Sequence, residues 1–150
     1  MSGKKAKIII GVIAIILAAG LLIWDVPRNQ LEMLLEKSAI EKAALDYLQA
    51  EQEGDRRQAY ALLAPSSDYK KAHSYEDFLQ DIGNYPPVQI GSYQIVGIYR
   101  LRDNDNRQSY PDVEKLVQVE VDITFQHTGE NSVFNYSFTF LKEKGTWYKG

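Results

Sequence analysis

Apolar and polar positions along this chain fall into three regimes. From Ile8 to Trp24 there is no alternation at all: IIIGVIAIILAAGLLIW is continuous, apolar and uncharged. As a helix the run spans about 25 Å, slightly less than a hydrocarbon core of about 30 Å. Trp24 at one end, and Lys4, Lys5 and Lys7 at the other, are residue types that reach the two interfaces. From Leu31 to Glu53 the period is helical. Ile40, Ala44, Tyr47 and Leu48 share one face, Glu41, Lys42, Asp46 and Gln49 fall mostly elsewhere, and neither Pro nor Gly interrupts. Asn29 and Glu32 have capping-box spacing, and Gly54 ends the helix. From Val88 onward the period is two.

The period-two half predicts four strands. Val88–Arg102 is the first, with Gly91 and Gly97 as sites for bulges. A polar loop follows to Asp112. In Leu116–Gln126, Val117, Val119, Val121, Ile123 and Phe125 alternate with Gln118, Glu120, Asp122, Thr124 and Gln126. After a turn at Thr128–Asn131, Val133–Leu141 sets Phe134, Tyr136, Phe138 and Phe140 against Asn135, Ser137 and Thr139. Lys144-Gly145 is a last turn, before a short strand at Thr146–Tyr148. Between the two halves, Asp55 caps a short helix Arg56–Ala64 stopped by Pro65. A polar loop precedes Ser74 and Asp77, which open a helix carrying Tyr75, Phe78, Leu79 and Ile82. The whole is an α+β plan of about three helices packed on a curved antiparallel sheet of about four strands.

Charge divides at the apolar run. Three lysines precede it and all twenty Asp and Glu residues follow it, so the remainder is more acidic than the net charge of −3 for the whole chain. The lysines orient residues 1–7 to the cytoplasm, 8–24 across the bilayer, and a 25–30 linker and the 31–150 domain outside. The expected location is thus the inner (plasma) membrane, single-pass, with the lipid bilayer as one partner. A cleaved signal peptide shares the basic start and apolar core, with Ala18-Ala19-Gly20 as its cleavage site, and would give a secreted domain. A buried core helix is a third reading, but it would show a polar face. Leu21 to Trp24, directly after the small residues, favour the anchor. The first turns of the second helix, Leu31 to Lys37, are expected to form a stalk beside the membrane. An acidic domain argues against nucleic acid as partner. The absence of cysteine excludes disulfides, thiolate metal sites and an acylated cysteine.

Two stretches carry a resemblance to a known family. ALDYLQAEQEGDRRQAYALLAP, from Ala43 to Pro65, is similar to the opening of the NTF2-like superfamily: a long helix, a Gly-Asp break, a short helix and a proline. FTFLKEKGTWYK, from Phe138 to Lys149, resembles the family's last hairpin, whose Gly-x-Trp turn precedes the terminal strand; the strand here is shorter than the family usually shows. The nearest in style are small membrane-anchored bacterial members. The resemblance implies a cone, in which the curved sheet wraps the long helix. It also implies a choice of roles, from SnoaL-like or isomerase-like enzymes through ligand-binding domains to scaffolds of envelope or secretion assemblies. A homodimer through the outer sheet face, carrying Gln118, Glu120, Thr124, Asn135 and Thr139, is a further implication.

The candidate chemistry is sparse. Enzymes of this kind hold an Asp or His base inside the cone. The candidates are Asp122 and Glu120, which share the polar face of their strand, and His127 at a strand end; the polar face reads as solvated and His73 lies in a loop. Asp55 reads as a cap, and Arg56-Arg57 as a solvated pair. Nucleophile, phosphate-loop and metal-ligand motifs are absent, so no cofactor or metal is expected. Tyrosine is the outlier, with ten. Tyr47, Tyr60, Tyr99, Tyr136 and Trp147 are the candidate lining of a small apolar pocket, against the alternative of plain core packing. The sequence therefore points to a membrane-tethered, non-catalytic domain that engages a protein partner or a small apolar ligand in the cell envelope.

Overall fold

The computed structural model describes residues 30–84, 89–127 and 130–150. The expected membrane span 8–24, its lysine flank and the Asp25–Asn29 stretch lie outside the described residues. So do the side chains of His127, Glu130 and Asn131. Contacts divide the chain between Glu36 and Lys37. Of the first unit only 30–36 are described, helical turns on which Leu31, Leu34 and Leu35 are exposed. Among the described residues no helix is long and apolar enough to cross a membrane.

Lys37–Gly150 is α+β, with helices and one four-stranded antiparallel sheet. Helix α1 covers 30–53. It stops where Gly54 takes φ +70°, a left-handed conformation that costs glycine nothing, while Asp55 N–H reaches back to the Ala50 carbonyl at 2.9 Å. Asp55 then caps α2, Arg56–Ala61, accepting from Gln58 N–H at 2.9 Å. The sequence predicts that helix to run to Ala64. It ends earlier because residues 62–64 turn to the sheet: Lys149 N–H donates to Leu62 O at 2.9 Å and Ala64 N–H to Lys149 O at 2.7 Å. The expected polar loop contains a further helix, α3, Asp68–Ala72, capped by Ser67. Helix α4, Tyr75–Gly83, opens on the predicted box: Ser74 Oγ accepts from Asp77 N–H and Asp77 accepts from Ser74 N–H.

The strands are β1 Gln89–Asp103, β2 Val113–His127, β3 Glu130–Glu143 and β4 Thr146–Lys149, adjacent in sequence order. Lys144 and Gly145, at φ 50° and 79°, make the tight last turn. Strands β2 and β3 pair without a shift from Lys115↔Lys142 to His127↔Glu130. Strand β1 shifts register three times, at Gly91, at Val96 and at Arg100-Leu101. The first matches the glycine signal, because a Cβ at Gly91 would lie 2.9 Å from Gln126 Cγ. The second falls one residue before Gly97.

The register defines two faces. The inner one carries Val117, Val119, Val121 and Ile123, opposite Phe140, Phe138, Tyr136 and Phe134. Helix α1 covers it, since Tyr47 meets Phe138 edge-on at 6.3 Å and Ile40, Ala44 and Leu48 on the same helical side are buried. The outer face is polar at its centre, as expected, but not at the β4 end. There Leu116, Leu141, Val113 and Tyr148 form a separate apolar cluster with Ala64 and Tyr110. A third cluster ties α1, α2 and α4 through Ala50, Ala59, Leu63 and Phe78.

Candidate functional site

The outer apolar cluster leaves a cavity of about 410 Å³ between α3 and the sheet. Tyr69, Tyr110, Val113, Leu116 and Leu141 supply apolar walls, and Asp68, Ser67, Asn104 and Thr139 the polar part of the lining. The walls hold their shape through local bonds. Asn104, itself buried, donates through Nδ2 to the carbonyls of Tyr110 at 2.8 Å and Val113 at 2.9 Å, pinning the loop between β1 and β2. Tyr110 Oη donates to Asp68 at 2.9 Å, and the Lys71 ammonium stands 5.0 Å from the Tyr110 ring centre. The Asp68 bond and charge raise the Tyr110 hydroxyl above its ordinary range. A recess of about 60 Å³ shares Leu116 and Thr139 with this cavity and continues to Arg100, Arg102 and Gln118. Within it Gln118 Oε1 is enclosed without a hydrogen-bond partner. The chamber is thus largely apolar, of small-ligand size, with a few hydrogen-bonding groups in its lining.

Beside it, the Glu143 carboxylate is buried and accepts from both Ser66 N–H, at 3.2 Å, and Ser66 Oγ. Lys70 donates to Leu63 O at 2.9 Å and Ala61 O at 3.2 Å, closing the end of α2. Burial lowers its ammonium pKa, with Glu143 opposing.

A second grouping lies on the inner face. Lys149 stands 5.9 Å from the Tyr47 ring centre and 5.7 Å from that of Phe138. Burial lowers its pKa, partly offset by the charge of Glu51. Burial raises the Tyr47 hydroxyl, reinforced by the charge of Glu51 and a hydrogen bond to it. Arg56 pairs with Glu51 at 3.3 Å. Phe138 stacks on Tyr136 at 5.9 Å, and Phe125 meets Tyr136 edge-on at 6.1 Å.

The five aromatic candidates are therefore dispersed. Tyr47 and Tyr136 are joined through Phe138 on the inner face, with Tyr136 40% exposed. Trp147 is buried on the same face, opposite Lys142. Tyr60 packs against Tyr75 and Phe78 and donates to His73 O at 2.8 Å. Tyr99 is on the outer face, 3.2 Å from Ser137 Oγ. Glu120 and Asp122 lie partly buried on that outer face, where Asp122 accepts from Asn135 Nδ2 at 2.8 Å. The His127 backbone pairs with Glu130, and its side chain is outside the described residues. Among the described residues no group of three His, Asp or Glu is gathered to hold a metal.

Of the cavity-lining residues, Tyr69 and Tyr110 read from the sequence as loop aromatics at an interface, whereas Leu116 and Leu141 do not appear among the sequence candidates. Their signal was the doubled apolar pairs Leu116-Val117 and Phe140-Leu141, which break strict alternation and place an apolar side chain on each face. No family model and no curated protein matches the chain.

Proposed function

We propose that this chain is a membrane-tethered, non-catalytic domain of the NTF2-like kind that receives a small apolar ligand outside the cytoplasm. The run 8–24 spans the plasma membrane, residues 1–7 remain inside, and α1 leads from the 25–30 linker into the binding domain. The observation that carries the ligand reading is the cavity of about 410 Å³ walled by Tyr69, Tyr110, Val113, Leu116 and Leu141. Its volume lies in the range of small-molecule sites, and its few polar groups suit a role in orienting a ligand. Neither Glu120 nor Asp122 lines this cavity, which supports binding over catalysis, because a general base must come within hydrogen-bond reach of the bound ligand. The exposed Leu31, Leu34 and Leu35 support a stalk next to the bilayer.

The test is photolabelling of the full chain in lipid vesicles with a neutral alkyl-diazirine, followed by peptide mapping. Adducts on Tyr69, Tyr110, Leu116 or Leu141 are expected. Adducts confined to residues 8–24, which dissolve in the same lipid as the probe, overturn the ligand reading.

A further inference from the structure

The sheet has two open edges, and they are treated differently. On β1 three register shifts break the edge, Arg100 is held at φ 56°, and Gln52 of α1 donates to the Gly91 carbonyl at 2.8 Å. These are devices that stop another strand from docking. On the opposite side β4 is short and pairs only with Phe140–Glu143 of β3. The rest of β3 has no neighbour on that side among the described residues.

This open stretch carries none of the usual protections. From Asn131 to Leu141, NSVFNYSFTFL, there is no charge and no proline, and β3 runs against β2 without a bulge. Residues 132–137 are all exposed. Gly150 N–H donates to Thr139 O at 2.9 Å, so Thr139 points its backbone groups toward β4. In an antiparallel strand those directions alternate, and Val133, Asn135 and Ser137 therefore present their N–H and C=O to the open edge. Phe134, Tyr136 and Phe138 line the inner side of this edge, and Asn135 and Ser137 the outer side.

We infer that the β3 edge from Ser132 to Phe138 is a docking site for an extended segment of a partner protein, neutral to basic, with apolar side chains at alternate positions. The segment continues the row begun by β4, takes its main-chain bonds from Val133, Asn135 and Ser137, and lays its apolar side chains against Phe134, Tyr136 and Phe138. Charge and sterics favour such a segment over a second copy. The chain is acidic, with a net charge of −3, so copies repel where a basic strand is attracted. A two-fold axis at Asn135 would also set residue 131 opposite the partner's Thr139, the place that Gly150 takes in each copy. A lone strand meets no such obstacle. The inference rests on strand topology and is independent of the ligand cavity.

The experiment selects a displayed library of random linear peptides on the full chain in lipid nanodiscs. Enriched peptides are then measured on Ser137→Pro and Val133→Lys. Ser137 points its N–H to the open edge, so proline there removes no bond to β2. Val133 is 64% exposed, so lysine there leaves the core intact. Alternating apolar and polar peptides are expected, binding both variants about tenfold more weakly and slowing amide exchange at Val133, Asn135 and Ser137. Unchanged exchange at Val119 and Val121 reports that each variant is folded. Enrichment no better than on empty nanodiscs, or equal binding to both folded variants, overturns the inference. Protection of these amides that grows with chain concentration and needs no peptide assigns the edge to a second copy instead.

Discussion

Ser74 and Asp77 show how far a local pattern reaches. The pair satisfies two otherwise orphaned N–H groups at the start of α4, with bonds of 2.8 and 3.2 Å, and the three-residue spacing alone predicts it. Ser74→Ala should cost about 1 kcal/mol, measured by denaturant unfolding. Asp77 makes the same cap depend on pH. Its backbone and side-chain bonds to Ser74 hold its carboxyl below the ordinary 3.8. The unfolded chain therefore takes up this proton first, and the stabilisation is present above pH 3.8 and lost as the pH falls through the lower, folded value. Asp77→Asn should remove that acid dependence while leaving stability flat through the same window. Glu143 is the contrary case. Its partner Ser66 lies 77 positions away, and nothing near either residue in the sequence signals the pair. Glu143→Ala should cost about 1–3 kcal/mol, because it leaves a buried N–H and hydroxyl without an acceptor. Thermal unfolding of the two chains side by side measures it.

At the scale of elements, alternation made β2 and β3 legible and the helical period made α1 legible, since each buries one face along many residues. Helix α3 leaves no period in the sequence because five residues, DYKKA, are too few to show one, and its only cue is the Ser67 cap. The early end of α2 has no local signal because Leu62 and Ala64 bond to Lys149, a partner remote in sequence. The second bulge of β1 sits at Val96 rather than at Gly97, since any residue that keeps the inner and outer positions in phase can bulge. Helices α3 and α4 are joined by Tyr69, which donates to Asp81 at 2.7 Å and stacks on His73 with ring centres 4.4 Å apart. Burial, then the bond and charge of Asp81, push the Tyr69 hydroxyl up to about 12. The unfolded chain loses this proton near pH 10, so the stabilisation is complete below that value and is lost as pH rises through about 12. Tyr69→Phe should flatten the decline of stability in that alkaline window, followed by circular dichroism during a pH titration.

For the whole molecule, the succession of helices and then adjacent strands was legible, because short turns leave consecutive strands little choice but to pair. The division of the apolar residues between both faces was not. Period two assigns one face to the core, and the outer cluster arises only where loop 62–67, α3 and the loop before β2 fold over Leu116 and Leu141. The candidate site was therefore less legible than the fold, as its walls come from four separate parts of the chain. Filling the chamber tests the ligand reading at this scale. Thr139→Phe, in the lining, should abolish diazirine labelling of Tyr69 and Tyr110 while labelling of residues 8–24 and the far-ultraviolet spectrum stay unchanged.

The bonds by which Lys149 clasps Leu62 and Ala64 also impose an order in time. Loops closed over so many positions form late, because their ends must first be found. The helical half cannot settle its 62–64 corner until β4 has docked, and β4 has no place to dock until β3 is laid on β2. The amides of Ala64 and Lys149 should therefore gain protection in the same late phase of refolding, and lose it together in one opening event.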